Sequence, residues 1–166
     1  MFEYVVDNDL LNNLSQQAKI NPRLRQHYNL HKSHAEPCQK ILNAIEPLSY
    51  IRPHRHFTDP KSEFFLAIRG EFALILFDEE GAISRVHRFS SKMLADFLAA
   101  EIQNDVWHTV ISLESDSVLL EVKSGPFDAN QPKDFALWAP EENSGNSKDY
   151  ASFLRSTCFK KMNSIV

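Results

Sequence analysis

Two histidines stand at alternate positions in Pro53-His54-Arg55-His56. On an extended chain, residues i and i+2 project from the same face of a sheet, so both imidazoles can converge on one ion, at about 2.0–2.1 Å for zinc. Glu63 follows after Asp59-Pro60, turn material that lets a strand reverse and bring its carboxylate back beside the histidine pair. His108, behind Trp107 and at the head of another apolar run, supplies a fourth donor. Three neutral imidazoles and one carboxylate make a mixed nitrogen–oxygen set suited to one divalent ion of Zn, Fe, Mn, Ni or Co. Such a set leaves positions open for water or substrate, as a catalytic ion requires.

Other side chains can surround that ion. Tyr50 and Arg52 share strand parity with His54, which predicts that they line the same cavity and bind substrate. The Arg52 fork suits a carboxylate or phosphate. Glu121 and Lys123 alternate with Val118, Leu120 and Val122, so the charged pair faces either the inside of a barrel or water. Inside, Glu121 is a candidate catalytic base or a partner for a ligand histidine, and Lys123 a candidate substrate contact. Gln39 and Asn43 are further interior candidates, or ordinary hydrogen-bonding groups at a strand end. His27, His31 and His34 fall on one face if their segment is helical, and such clusters are mostly exposed. Phe127, Phe135 and Trp138 read as core cover, with an apolar wall near the metal as the alternative.

These groups need elements to hold them. Residues 7–19 read as a helix capped by Asp7, with Leu10, Leu11, Leu14 and Ala18 on one face. Asn21-Pro22 breaks it, and residues 23–37 are polar with no clear period. Strands are predicted over 41–45, 49–52, 63–68, 72–77, 83–89, 97–102, 109–112 and 118–123. Gly70 ends one of them, and Asp78-Glu79-Glu80-Gly81 turns a hairpin. Short strands about ten residues apart indicate an all-β sandwich or barrel. Gly125-Pro126 and Pro132 mark a loop, and residues 147–162 read as a C-terminal helix with Tyr150, Phe153, Leu154 and Cys158 on its apolar face. The expected organisation is one structural domain, with an N-terminal helical extension at 1–37, a barrel at 38–124 and a loop and helix at 125–166.

Composition fits this architecture. The 166 residues are 43% hydrophobic, enough for one core, and include twelve phenylalanines but only four glycines. A net charge of −4 with no basic cluster argues against nucleic acid as a partner. The N-terminus shows no signal-peptide pattern, and no apolar run approaches the roughly 18 residues of a membrane span. Cys38 and Cys158 form no CxxC pair and read as reduced thiols. A soluble, cytoplasmic protein is expected.

The site spacing resembles a known family. His54-x-His56, six residues, Glu63, six residues and Gly70 resemble the first cupin motif, and Trp107-His108 resembles the histidine of the second. The segments 43–47, 50–56, 69–70, 77–81, 107–110, 120–123, 125–127 and 134–141 together resemble the WbuC family of cupin-fold metalloproteins, over roughly residues 27–142. Before Trp107-His108 the family's Pro- and Gly-bearing turn is replaced by Gln103-Asn104-Asp105-Val106, whose Asn and Asp tolerate left-handed turn conformations. The resemblance implies a cupin-type double-stranded β-helix, or jelly-roll, with a bound metal and an association with surface-polysaccharide biosynthesis. It also implies a small polar ligand such as a sugar derivative, and a homodimer. Two functions follow as expectations: a metal-dependent isomerase, epimerase or lyase, or a non-catalytic metal-dependent binding or sensor module.

Overall fold

A computed structural model describes residues 4–92, 95–128 and 133–163. Pro132 and the first three residues lie outside them. Helix α1 (Asn8–Ile20) opens the fold; the Asp7 side chain accepts from the Leu10 N–H at 2.9 Å, and Asn21 ends the helix in extended backbone. Ten strands follow: β1 (Arg25–Asn29), β2 (Cys38–Ile45), β3 (His54–Arg55), β4 (Glu63–Arg69), β5 (Glu71–Phe77), β6 (Ile83–Ser90), β7 (Ala99–Ile102), β8 (His108–Ser112), β9 (Ser117–Ser124) and β10 (Asp134–Phe135). Helix α2 (Ser147–Asn163) closes the chain. The strands form two antiparallel sheets, β1-β2-β9-β4-β7 and β10-β3-β8-β5-β6. Facing each other, they make a cupin-type jelly-roll barrel. Among the described residues, no helix is long and apolar enough to cross a membrane.

Strand alternation sorts side chains into three cores. The barrel interior takes Ile45, Phe65, Phe72, Leu74, Phe89, Val110 and Leu119. The opposite face of the first sheet sends Leu42, Ala44 and Val118 against Leu11, Leu14 and Ala18 of α1. The opposite face of the second sends Ala73, Ile75 and Ile111 against Leu154 and Cys158 of α2. This explains why Phe72–Phe77 is apolar on both faces: one lines the barrel and the other lies beneath a helix. Phe153, predicted on the apolar face of α2, is 53% exposed; the buried stripe follows Leu154 and Cys158, four residues apart.

Gly70 carries φ +83, and a Cβ placed on it would lie 2.2 Å from Ser117 Oγ. Neither the backbone nor the space admits a side chain there.

Three segments depart from the sequence expectation. Residues 25–29, read as aperiodic, form β1 and pair with β2 from Arg25↔Ile45 to Asn29↔Ile41. The sheet therefore starts inside the segment assigned to the helical extension. As a half-exposed edge strand, β1 shows no clean alternation. Residues 49–52 make no strand, because Pro47 and Pro53 remove ladder donors on both sides. Beyond Lys123, β10 pairs with β3; two residues are too few for a periodic signal.

Candidate metal centre

The two sheets supply opposite halves of the site. His54 of β3 lies directly across from His108 of β8, and their ring centroids are 4.5 Å apart. Glu63, at the head of β4, pairs with Lys123 of β9 on the facing sheet. The register thus brings His54, His56, Glu63 and His108 together, each at most 4% exposed.

Distances define a tight cluster. His108 Nε2 lies 3.1 Å from Glu63 Oε2, His56 Nε2 lies 3.1 Å from Glu63 Oε1, and His54 Nε2 lies 3.8 Å from Glu63 Oε2. Ligand atoms of His54, Glu63 and His108 all fall within 4.8 Å of one another, a group that could hold a metal ion. The tautomers are set from behind. His54 Nδ1 donates to the Arg52 carbonyl at 3.0 Å, and His108 Nδ1 donates to the Val106 carbonyl at 2.8 Å. Each Nε2 lone pair therefore faces the carboxylate, as in histidine ligands generally. His56 differs: both its ring nitrogens are buried without a hydrogen-bond partner. A buried polar atom without a partner is costly, and a cation among these four residues would relieve it. Three imidazoles and a carboxylate fit such an ion chemically.

Electrostatics prepare the same donors. Burial, helped by the neighbouring Lys133 and His108, holds the His54 imidazole well below its usual range, so it stays neutral. Burial alone would raise the Glu63 carboxyl. The Lys133 ammonium and the three imidazoles packed against the carboxylate outweigh it and keep Glu63 ionised, well below the ordinary carboxylate range.

Glu121 and Lys123 point into the barrel. Lys123 Nζ bridges Glu63 Oε1 at 3.0 Å and Glu121 Oε1 at 2.6 Å, and Asn43 donates to Glu121 Oε2 at 3.1 Å. Burial would lower the Lys123 ammonium, but the two carboxylates raise it above its usual value. Asn43 is thus an interior group. Gln39, on the same face of β2 and paired with Lys123, is buried as well, and its amide donates to the carbonyls of Ser33, His34 and Glu36 and pins the loop before β2.

Tyr50 and Arg52 are not brought to the cavity, which corrects the parity expectation. Tyr50 Oη donates to the Pro140 carbonyl at 2.7 Å. Arg52 donates from Nε and a terminal nitrogen to the Ala136 carbonyl and lies over the Phe135 ring. With no ladder over 49–52, their parity relative to His54 carries no meaning, and both clamp the loop after β10. The three N-terminal histidines form no metal cluster among the described residues. His31 instead contacts the Lys40 backbone, and His34 packs edge-on against Phe127. Trp138 packs on Phe77. The turn before Trp107 closes from the Val106 N–H to the Gln103 carbonyl at 3.4 Å, without a positive φ at Asn104 or Asp105.

A cavity of about 190 Å³ opens beside the cluster, lined by His54, Glu63, His108 and Glu121, by Phe65, Val110 and Leu119, and by Lys133, Phe135, Arg25 and Glu142. Lys133 escaped the sequence reading. Its Nζ lies 3.0 Å from His54 Nε2, placed there because β10 pairs Phe135 with His54. Arg25, which grips Glu142, was hidden in the unrecognised β1. No spacing rule links either residue to His54.

A family model described as a domain of unknown function, DUF6016, matches residues 6–89, just over half of the chain. The chain belongs to the DUF6016 family. The matched stretch of this DUF6016 chain includes His54, His56 and Glu63 but ends before His108. Similar solved structures include KdgF from a Halomonas species, 18% identical at a TM-score of 0.50, with 67% of this chain covering 87% of that one. CapF, solved with the inhibitor 3-isopropenyl-tropolone, is 23% identical at a TM-score of 0.56, with 71% of this chain covering 32% of CapF. The chain thus spans about a third of CapF. Both neighbours are cupin-fold proteins, and at these identities the likeness establishes the fold alone. No curated protein matches the chain.

Proposed function

We propose that this DUF6016 protein is a metal-dependent cupin of the WbuC type, in which His54, His56, Glu63 and His108 hold one divalent ion of Zn, Fe, Mn, Ni or Co. The observation that carries the reading is the paired arrangement of His54 and His108. Each is locked through Nδ1 to a backbone carbonyl two residues upstream, and each turns Nε2 toward the ionised Glu63. When bound, the ion supplies Lewis acidity toward a carbonyl or hydroxyl oxygen. The chain's own groups bind and orient the substrate: Lys123 and Asn43 hold Glu121 in place, Glu121 exchanges a proton, and Phe65, Val110 and Leu119 exclude water from one wall. That is isomerase, epimerase or lyase chemistry on a small polar molecule, a sugar derivative in surface-polysaccharide synthesis by the family resemblance. The same reading puts the protein in the cytoplasm and pairs it as a homodimer through an exposed sheet edge such as β1.

One observation favours a second reading, a non-catalytic binding or sensor module. Both Glu121 oxygens already accept hydrogen bonds, from Lys123 and Asn43, which ties the carboxylate into the wall of the cavity as a structural acceptor. Metal analysis of protein purified without added metal tests the shared core of both readings. About one ion per chain is expected in the native protein and none in a His54→Ala/His56→Ala variant. Equal content in the two removes the site. A thermal-stabilisation screen of the metal-loaded protein with sugars, sugar phosphates and sugar nucleotides then tests the ligand, and no stabilisation across the panel counts against the polysaccharide role.

A further inference from the structure

The buried charges of the cavity lead one step further, resting on the metal reading above. Glu63 and Glu121 carry two negative charges, and Lys123 and Lys133 carry two positive ones within the same contact network. With neutral imidazoles the network balances. A divalent ion on His54, Glu63 and His108 would leave it positive by two. If Lys133 were neutral, the excess would still be one, so its sign does not depend on that proton. Uncompensated charge in a buried cavity is strongly disfavoured. At the far end, Arg25 and Arg23 share the carboxylate of Glu142 among the described residues, and add no negative charge to the balance.

Geometry identifies where compensation would sit. Lys133 Nζ is hydrogen-bonded to His54 Nε2 at 3.0 Å. That nitrogen cannot accept from an ammonium and coordinate an ion with the same lone pair. Were an ion to take it, Lys133 would be left without this acceptor, beside His54 and inside a cavity of about 190 Å³ that Glu63 and His108 also line. An ion and an adjacent ammonium together make a two-point receptor for an oxyanion.

We propose that the ligand of this site carries a compact oxyanion, a carboxylate or a phosphate ester, held between the metal and Lys133. Lys133 is a substrate-binding residue, and its present bond to His54 is broken when the ion enters. The cavity size and the apolar wall of Phe65, Val110 and Leu119 limit the remainder of the ligand to a short body.

The test uses full-length protein loaded with metal and titrated calorimetrically with oxalate, with inorganic phosphate, and with neutral erythritol. Oxalate or phosphate is expected to bind, the stronger arm naming the head group, and erythritol not to bind. Lys133→Met should weaken the anion by about tenfold or more, because one of two cationic contacts is lost. The same variant should bind metal at least as tightly, because nothing then competes for His54 Nε2. Lys133→Arg should recover part of the anion affinity. Opposite movements of metal and anion affinity are the signature. Loss of both together in Lys133→Met makes the residue merely structural and overturns the proposal, as does anion binding unchanged from the native protein. A native protein that holds metal but binds no anion overturns it while leaving the metal site intact. A native protein that holds no metal removes the metal reading itself, and metal analysis distinguishes that case.

Discussion

The barrel interior has two ends that the same strands build differently. Along β4 the inward positions run from Glu63 to Phe65 and Ala67; along β8, from His108 to Val110; and along β9, from Lys123 and Glu121 to Leu119. One end is a buried network of charges and imidazoles, and the other is a dry cluster around Phe72 and Phe89, whose rings stack at 5.2 Å. The changeover takes a single inward step on each strand. Apolar packing at one end therefore rigidly positions polar groups that would not hold the fold by themselves, since buried polar networks give little net stability.

The contrast predicts that the two ends fail differently. Phe72 is fully buried, so Phe72→Ala should cost about 3–5 kcal/mol of stability in denaturant unfolding. The folded fraction should keep its metal. A large loss of metal in the folded fraction would mean the two ends are not separable. At the polar end the pattern reverses: Glu63→Gln should lower metal affinity by more than about a hundredfold, beyond what the loss of a group behind a ligand usually costs. Competition with a chelator measures it, and a change of less than about tenfold would take Glu63 out of the ligand set.

Acid separates the ends next. Folded His54 stays neutral at pH values where an unfolded histidine, near 6.5, takes up a proton. Below that value the unfolded chain binds more protons than the folded one, so stability falls as pH falls. Glu63 acts with the same sign lower down. Its folded value lies well below 4.5, so its contribution is complete above 4.5 and is lost as pH drops through the folded value. Chemical unfolding of metal-free protein at a series of pH values between about 7 and 4 should show this slope. Phe72→Ala should shift the whole curve down without changing its shape. A flat profile would mean these groups are less buried than described.

The sequence made the polar end legible where residue type and spacing together point to a metal. His54-x-His56, Glu63 and His108 stand out because strand alternation and turn residues tie their spacing to geometry. Glu121 and Lys123 were visible as a pair, but not their side: alternation separates two faces without saying which is interior. Lys133 and Arg25 were out of reach. Lys133 reaches His54 through the two-residue pairing of β10 with β3, and Arg25 lies on an edge strand without alternation. Tyr50 and Arg52 failed the other way, because parity was extended across Pro53 where no ladder exists.

Tyr50 gives the smallest and most pointed check on that last distinction. Its hydroxyl donates to the Pro140 carbonyl, and its ring meets Tyr150 of α2 edge-on at 6.0 Å. Burial raises the phenol above its usual value, so it remains a donor at neutral pH. Tyr50→Phe keeps the ring contact and removes one hydrogen bond, which should cost about 1 kcal/mol, somewhat more if the Pro140 carbonyl finds no water. If Tyr50 serves only to clamp the loop after β10, metal content and oxalate or phosphate affinity stay at native levels while stability falls by that amount. If it lines the ligand cavity, as strand parity suggested, anion affinity falls with stability unchanged. The loop it clamps begins beside Lys133, so a weakening of both would show that the clamp positions Lys133, and it would tie the structural end of the molecule to the ligand through a side chain that never touches it.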